Sequence, residues 1–402
     1  MIRKSALAAI IAVALVATPQ AQAADAAPSA GTWLVSQFSE GDRLLRAPQD
    51  PASGDTGLTA DGIYALAAAG VGRSTAEKAA AWLAQPDQIA FFLGDGEAES
   101  YVGGLVKLAL VAQTLGTDPH KFAAIDLLGR LSALQEESGR YRDRTDPSFD
   151  QTNAFTQALA IIVLKRAGQP SDKPVTFQVS SQCPDGGFPI QFEQATCKSD
   201  VDATAIVLQA LLAAGEKTAT ATASAKGLDW LAKQQQADGG FQAMAPPTNA
   251  NTTGLAVGAL VAGGRAEAAD KAVAFLKTLQ VGCAGPVAQR GAVSFDRNGF
   301  DAGTVVRATT QAMLGLARVS LATVSAADAT AGVPALDCTT PPSPSPEPTA
   351  PPAPAGPEQV PADPPLAVTG PDQAGPLTLF GSFAVIAGAV LLFVSRRRKV
   401  GA

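Results

Sequence analysis

Apolar positions fall into six blocks that are hydrophobic nearly all the way round at helical spacing: Thr56–Gly70, Ser100–Gly116, Asp150–Gly168, Asp200–Gly215, Asn251–Gly264 and Asp301–Ala317. Their openings lie roughly 44 to 51 residues apart, the signature of a structural repeat. A helix without a wet face must be buried. Asp, Asn or Ser opens most blocks, which suits N-capping, and Gly ends most, which suits C-capping. Between them lie amphipathic segments with one polar face, at Ala76–Ala84, Lys121–Leu134, Ala223–Gln236 and Ala269–Leu279, with Gly31–Phe38 starting the set. Two connections carry Asp-Gly-Gly-Phe, at Asp185–Phe188 and Asp238–Phe241, a turn followed by an aromatic plug. The pattern predicts an all-α body of six buried helices, each paired with an outer one. Periodicity leaves open whether the pairs form a solenoid or a closed ring.

The ends of the 402-residue chain differ from this body. Arg3 and Lys4, the apolar run Ala6–Ala17 and the small residues Ala21-Gln22-Ala23 read as a secretory signal over residues 1–23. The body, 24–338, is followed by a Pro-rich segment at 339–365, read as a semi-rigid polyproline stalk. Then come Leu366-Ala367-Val368-Thr369-Gly370, an uncharged stretch from Leu377 to Val394, and a basic tail at 395–402 with Arg396, Arg397, Arg398 and Lys399. In that order these resemble the sortase cell-wall sorting signal of high-GC Gram-positive bacteria. The resemblance implies cleavage between Thr369 and Gly370 and attachment of Thr369 to peptidoglycan, with sortase and peptidoglycan as partners. The location implied is outside the cell, on the wall, with the precursor held in the plasma membrane by the C-terminal helix.

Charge and cysteine content fit export. The whole chain carries a net charge of -6, and both ends to be removed are basic, so the 24–369 product is more acidic still. Such a product is a poor nucleic-acid binder. Four cysteines in an exported chain suggest two disulfides. Cys183 and Cys197 flank one 14-residue loop and leave Cys283 with Cys338; this is the preferred pairing of three arrangements. No Cys-x-x-Cys spacing occurs and His120 is the single histidine, so no metal site or cofactor is expected.

The segment from Lys226 to Phe241, with Asp229-Trp230-Leu231 and Gln235 before Asp238-Gly239-Gly240-Phe241, resembles the Gln-Trp repeat of squalene cyclases and protein prenyltransferase β-subunits. Phe replaces the usual final Trp. Gln182–Phe188 is a second match and Gln135–Tyr141 a looser one. The resemblance spans most of residues 30–320 and implies an α6/α6 toroid.

In such a ring the inner-helix N-termini meet at one mouth. Asp61, Glu99, Tyr101, Asp150, Asn153, Asp200, Asp202, Asn251, Asp296 and Asp301 are placed there by the pattern, as helix caps or as a ligand-binding rim. Asp200-Val201-Asp202-Ala203-Thr204-Ala205 resembles the Asp-x-Asp-Asp-Thr-Ala motif of class II terpenoid cyclases. That likeness implies that Asp202 is a general acid protonating an alkene, with Asp200 beside it. The third acid is replaced by Ala203, and the chain holds 22 aromatic residues (16 Phe, 3 Trp, 3 Tyr) where a carbocation cavity needs many. The zinc trio of prenyltransferases and the Cys-Gly-Glu-Gln of thioester proteins are missing too. The expectation is a wall-anchored, non-catalytic toroid binding a corrin, lipid or isoprenoid, or glycan at its mouth. The alternative is an enzyme, terpenoid cyclase-like or glycan-processing, using Asp200 and Asp202.

Overall fold

The computed structural model describes residues 26–338 apart from 48, 49, 51, 170, 216 and 337. The expected signal peptide, stalk, sorting motif and hydrophobic C-terminal stretch lie outside the described residues. Among the described residues no helix is long and apolar enough to cross a membrane.

The described residues form thirteen α-helices and no strand, only isolated bridges. Six helices are almost wholly buried: α2 (Thr56–Ala68), α5 (Val102–Leu115), α7 (Ala154–Arg166), α9 (Val201–Ala214), α11 (Ala250–Ala262) and α13 (Val305–Leu316). Each packs against the next in that order, and α13 packs back on α2, so the ring is closed. Outside them lie α1 (Ala26–Val35), α3 (Arg73–Leu83), α6 (Leu127–Ser132), α8 (Asp172–Ser180), α10 (Thr218–Lys233) and α12 (Ala266–Leu279). This is the α6/α6 toroid, with one extra short helix, α4 (Pro86–Leu93), set against α3 and α5.

The expected blocks become helices with shifted starts. Asn153 rather than Asp150 caps α7, closing a reciprocal capping box with Thr156, and Asn249 rather than Asn251 caps α11. Asp55 and Asp200 cap α2 and α9 through Leu58 N and Ala203 N. Of the expected Lys121–Leu134 helix only Leu127–Ser132 forms. Asp126 caps it, and the chain just before turns tightly with Ala123 and Ala124 at positive φ. Helices α4 and α8 were not evident from the pattern.

One corner device recurs around the ring. Leu44, Tyr141, Phe188, Phe241 and Val293, all fully buried or nearly so, plug the core where the chain enters or approaches an inner helix. Their backbone N–H groups, cut off from water, donate to side chains on the first turns of inner helices: Thr59 (3.0 Å), Gln157 (2.9 Å), Thr204 (2.8 Å), Thr253 (2.9 Å) and Thr309 (2.8 Å). Leaving one such donor unpaired costs about 1–3 kcal/mol.

Glutamines tie three of these corners to the following outer helix. Gln182 donates to Gly186 O and to Ala223 O on α10. Gln235 donates to Gly239 O and Ala268 O on α12. Gln280 donates to Gly291 O and to Ala26 O on α1, which joins the last corner to the first helix. A glycine at positive φ lets each corner approach that closely; a Cβ on Gly291 would lie 2.3 Å from Ser29 O.

The end of the ring formed by the inner-helix C-termini is covered. After α13 the chain crosses it as a strap. Gln209 Oε1 accepts from Ser320 Oγ (3.0 Å) and Leu321 N (2.9 Å). Arg166 donates to Leu321 O, Ala322 O and Val324 O, and Ala326 N donates to Thr114 O. Val324 and Ala326 are buried under this end. The strap then pairs with the α2–α3 corner, where Thr330 N donates to Gly70 O and Gly72 N to Gly332 O. It ends at the Cys283–Cys338 disulfide; Cys183–Cys197 is the other, so both pairs form as preferred from the sequence.

Gly291→Ala is expected to lower stability by about 2–4 kcal/mol in denaturant unfolding, combining the backbone cost at positive φ with a clash against α1. Gly299→Ala, also at positive φ but with nothing within 4 Å of its Cβ, is the control and should lose only the backbone part, about 1–2 kcal/mol. Equal losses would refute the role assigned to the α1 contact.

Candidate active or binding site at the ring mouth

Inner and outer helices alternate along the chain, so the six inner helices run in one direction and their N-termini share the open end. Each contributes about half a positive charge there. Most inner-helix residues are fully buried, but a stripe two and six residues into these helices is only partly so: Asp61, Lys107, Phe155, Leu159, Asp202, Asn251 and Leu255. Spacing of four residues stacks such side chains on one helix face. That stripe lines the ring interior just inside the mouth.

Two polar pairs stand on it. On α2 and α5, Lys107 Nζ lies 2.6 Å from Asp61 Oδ1 and also donates to Gly57 O at 3.1 Å. Beneath them the Tyr64 hydroxyl donates to Lys107 O at 2.6 Å, its phenol pushed up by burial and by Asp61. Across the ring, on α9 and α11, are Asp202 and Asn251, each at the second position of its helix. Asp202 Oδ1 and Asn251 Oδ1 are buried and have no hydrogen-bond partner. The Asp202 carboxyl is pushed from 3.8 to about 7 by burial first and Asp200 second, against a lowering hydrogen bond from Thr252. A helix N-terminus pulls an acid the other way by about 1 kcal/mol at most in ordinary settings, so here burial wins.

A second raised acid, Asp143, was not singled out in the sequence. It sits in the α6–α7 loop among Arg140, Arg142 and Arg144 and reads there as part of a solvated charge run. Its carboxylate accepts from Val102 N (2.8 Å) at the start of α5 and from Gln151 N (3.1 Å). It therefore caps α5 from a distant part of the chain, where Tyr101 supplies no side-chain cap. Burial, then Asp150, raise it to about 6 against those two lowering hydrogen bonds.

The other rim residues are occupied by local structure. Asn153 Oδ1 accepts from Phe155 N and Thr156 N, and Asp200 is the buried cap of α9, its carboxyl raised by burial. Asp150 holds Thr152 and pairs with Arg142 at 3.1 Å and Arg140 at 3.7 Å. The Tyr101 hydroxyl donates to Glu99 at 2.7 Å. Asp296, partly buried, and Asp301, exposed, turn the loop before α13, accepting from Asn298 N and Gly303 N. At the same end Arg307 pairs with Asp55 at 3.3 Å. His120 is engaged with Asp126, and among the described residues no group of three His, Cys, Asp or Glu side chains is placed to hold a metal.

No family model and no curated protein matches the sequence. Solved structures do match the fold. An inactive variant of an α-1,6-mannanase of Salegentibacter sp., in complex with α-1,6-mannotriose, aligns with a TM-score of 0.57 at 11% identity, covering 74% of this chain and 99% of that one. The type II terpene cyclase MstE from Scytonema aligns with a TM-score of 0.55 at 16% identity, covering 73% and 96%. An α-amylase from Clostridium perfringens gives 0.52 at 13% identity, covering 73% and 97%. At these identities the likeness establishes the toroid fold, shared by glycosidases and terpene cyclases alike.

The raised acids fix a sign for the pH dependence. Folded Asp202 binds its proton more tightly than the unfolded chain does, so unfolding releases a proton between about pH 4 and 7 and stability falls as pH rises through that window. Asp143 acts in the same direction up to about pH 6. Asp202→Asn should abolish most of the fall and raise stability at pH 8 by on the order of 2–4 kcal/mol. Melting curves from pH 4 to 8 measure this; an unchanged slope in the variant would show that Asp202 ionises freely.

Proposed function

We propose that the chain is an exported protein, held on the cell wall through its sorting signal, whose ring binds a hydroxyl-rich ligand of the glycan class at its mouth without transforming it. The observation that carries this reading is the pair of buried, unpartnered acceptors, Asp202 Oδ1 and Asn251 Oδ1, on neighbouring inner helices. Buried acceptors of this kind call for donors, and ligand hydroxyls supply them; an isoprenoid chain has none to give. The strap over the far end restricts entry to the mouth. The two disulfides are consistent with an extracellular setting, and a mannotriose complex on the same fold supports the ligand class.

A second reading rests on the proton held by Asp202. An acid poised near 7 is suited to proton transfer at neutral pH. Such an acid suits alkene protonation of the terpenoid cyclase kind, or glycan cleavage if a second carboxyl works with it. The aliphatic lining of Leu159 and Leu255, with Phe155 as the aromatic on that stripe, favours the binding reading over carbocation chemistry.

The purified protein is expected to give no product from squalene-like or oligoprenyl substrates, nor from α-1,6-mannotriose, when reactions are followed by mass spectrometry. Product formed by the wild type and lost in Asp202→Asn would establish the enzymatic reading instead. Native mass spectrometry of protein from its own host should show a co-purifying glycan; a corrin or a lipid in its place would overturn the ligand class.

A further inference from the structure

A cavity of about 430 Å³ opens on the ring's flank, away from the Asp202 and Asn251 pair. It lies between the turn after α1, Ala52 and Gly54 ahead of α2, and the corner joining α3 to α4. Its volume falls within the range of small-molecule sites, about 300–1,000 Å³. Trp82 forms one wall. This side chain is 7% exposed and lies directly against the backbone of Gly54, where a Cβ would come within 2.8 Å of the indole.

The Trp82 indole N–H has no acceptor among the described residues. The other two tryptophans are satisfied, Trp33 by Ala288 O and Trp230 by Asp185 Oδ2. The N–H of this otherwise buried indole is left open to solvent at the cavity wall, a donor that a ligand hydroxyl can engage in place of water. Gln85 and Gln88, one turn apart at the same corner, add amides that no protein group engages among the described residues.

The charges define what fits. Arg43 is held by Glu40 at 2.6 Å and Asp42 at 2.7 Å, so its cation is already neutralised. The groove thus offers no free positive charge to a phosphate or carboxylate. It offers an indole edge, two amides that both donate and accept, and carboxylate acceptors, the set that reads the closely spaced hydroxyls of a neutral sugar. Its floor residue Gly54 precedes Asp55, the α2 cap paired with Arg307 at the mouth, so the groove lies on the mouth side of the ring.

We propose that this groove is a separate carbohydrate-binding site, with the Trp82 N–H and the Gln85 and Gln88 amides contacting sugar hydroxyls. It does not depend on what the mouth binds. The test is indole N–H NMR of the full chain titrated with α-1,6-mannotriose and with chitotriose. One of them is expected to shift the Trp82 signal and leave those of Trp33 and Trp230 in place. Trp82→Phe, which keeps the packing and removes the donor, should weaken binding at least tenfold with little change in melting temperature. Gln88→Ala, at a half-exposed position, should weaken it about threefold and serves if Trp82→Phe fails to fold. No movement of the Trp82 signal with either sugar overturns the proposal. Binding that survives Trp82→Phe and Gln88→Ala but is lost in Asn251→Leu places the sugar at the mouth alone and overturns it equally.

Discussion

The backbone N–H of each core-plugging corner residue would be stranded without the side chain that accepts it from an inner helix. That single hydrogen bond couples three decisions. It sets how deep the plug enters, where the inner helix begins, and which side chain can stand on its first turn. With five corners built this way, the inner helices start at nearly the same level, and a ring becomes possible. The glutamine clasps then fix the rotation from one pair to the next. The remaining corner, before α5, is held differently: Arg130 donates to Ser100 Oγ and to the carbonyls of Leu93, Gly94 and Glu99. A guanidinium with five donors does there what a hydroxyl and an amide do elsewhere.

How much of this was legible in the sequence follows from how local the signals are. The buried helices were readable because an all-round apolar pattern admits one environment. The Asp-Gly-Gly-Phe corners were readable because turn chemistry needs particular residues at fixed offsets. Ring closure was not readable from period alone, since it rests on α13 packing against α2 and α1 and on Gln280 reaching Ala26, some 254 residues away in sequence. Helix α8 was obscured by its mean polarity and by Pro174 within it. At the mouth, Asp202 stood out through its motif. Asp143 did not, because its burial comes from α5, and nothing in a run of alternating arginines announces a partner from a distant part of the chain.

The two ends of the ring are chemically unlike. One end is closed by a strap whose polar groups are matched by Arg166, Gln209 and Thr114. The other gathers helix N-termini, an ion pair and carboxyls that have been moved out of water. Burial raises those acids only because the inner helices pack closely enough to exclude solvent from their first turns. Close approach of α11 and α13 through Gly254 and Gly315 tightens the ring on that side. Stability and site chemistry therefore draw on the same contacts.

The Cys283–Cys338 bond has a mechanical consequence. Cys338 is where the body meets whatever follows it, and any tension on the chain beyond that point passes through the disulfide into the corner after α12. The stretch between the two cysteines, 55 positions apart and including α13 and the strap, lies in a covalent loop outside that load path. Pulling on the C-terminus would thus leave the seam between the last and first repeats unloaded, and the strap could not be peeled from the ring until the disulfide was reduced.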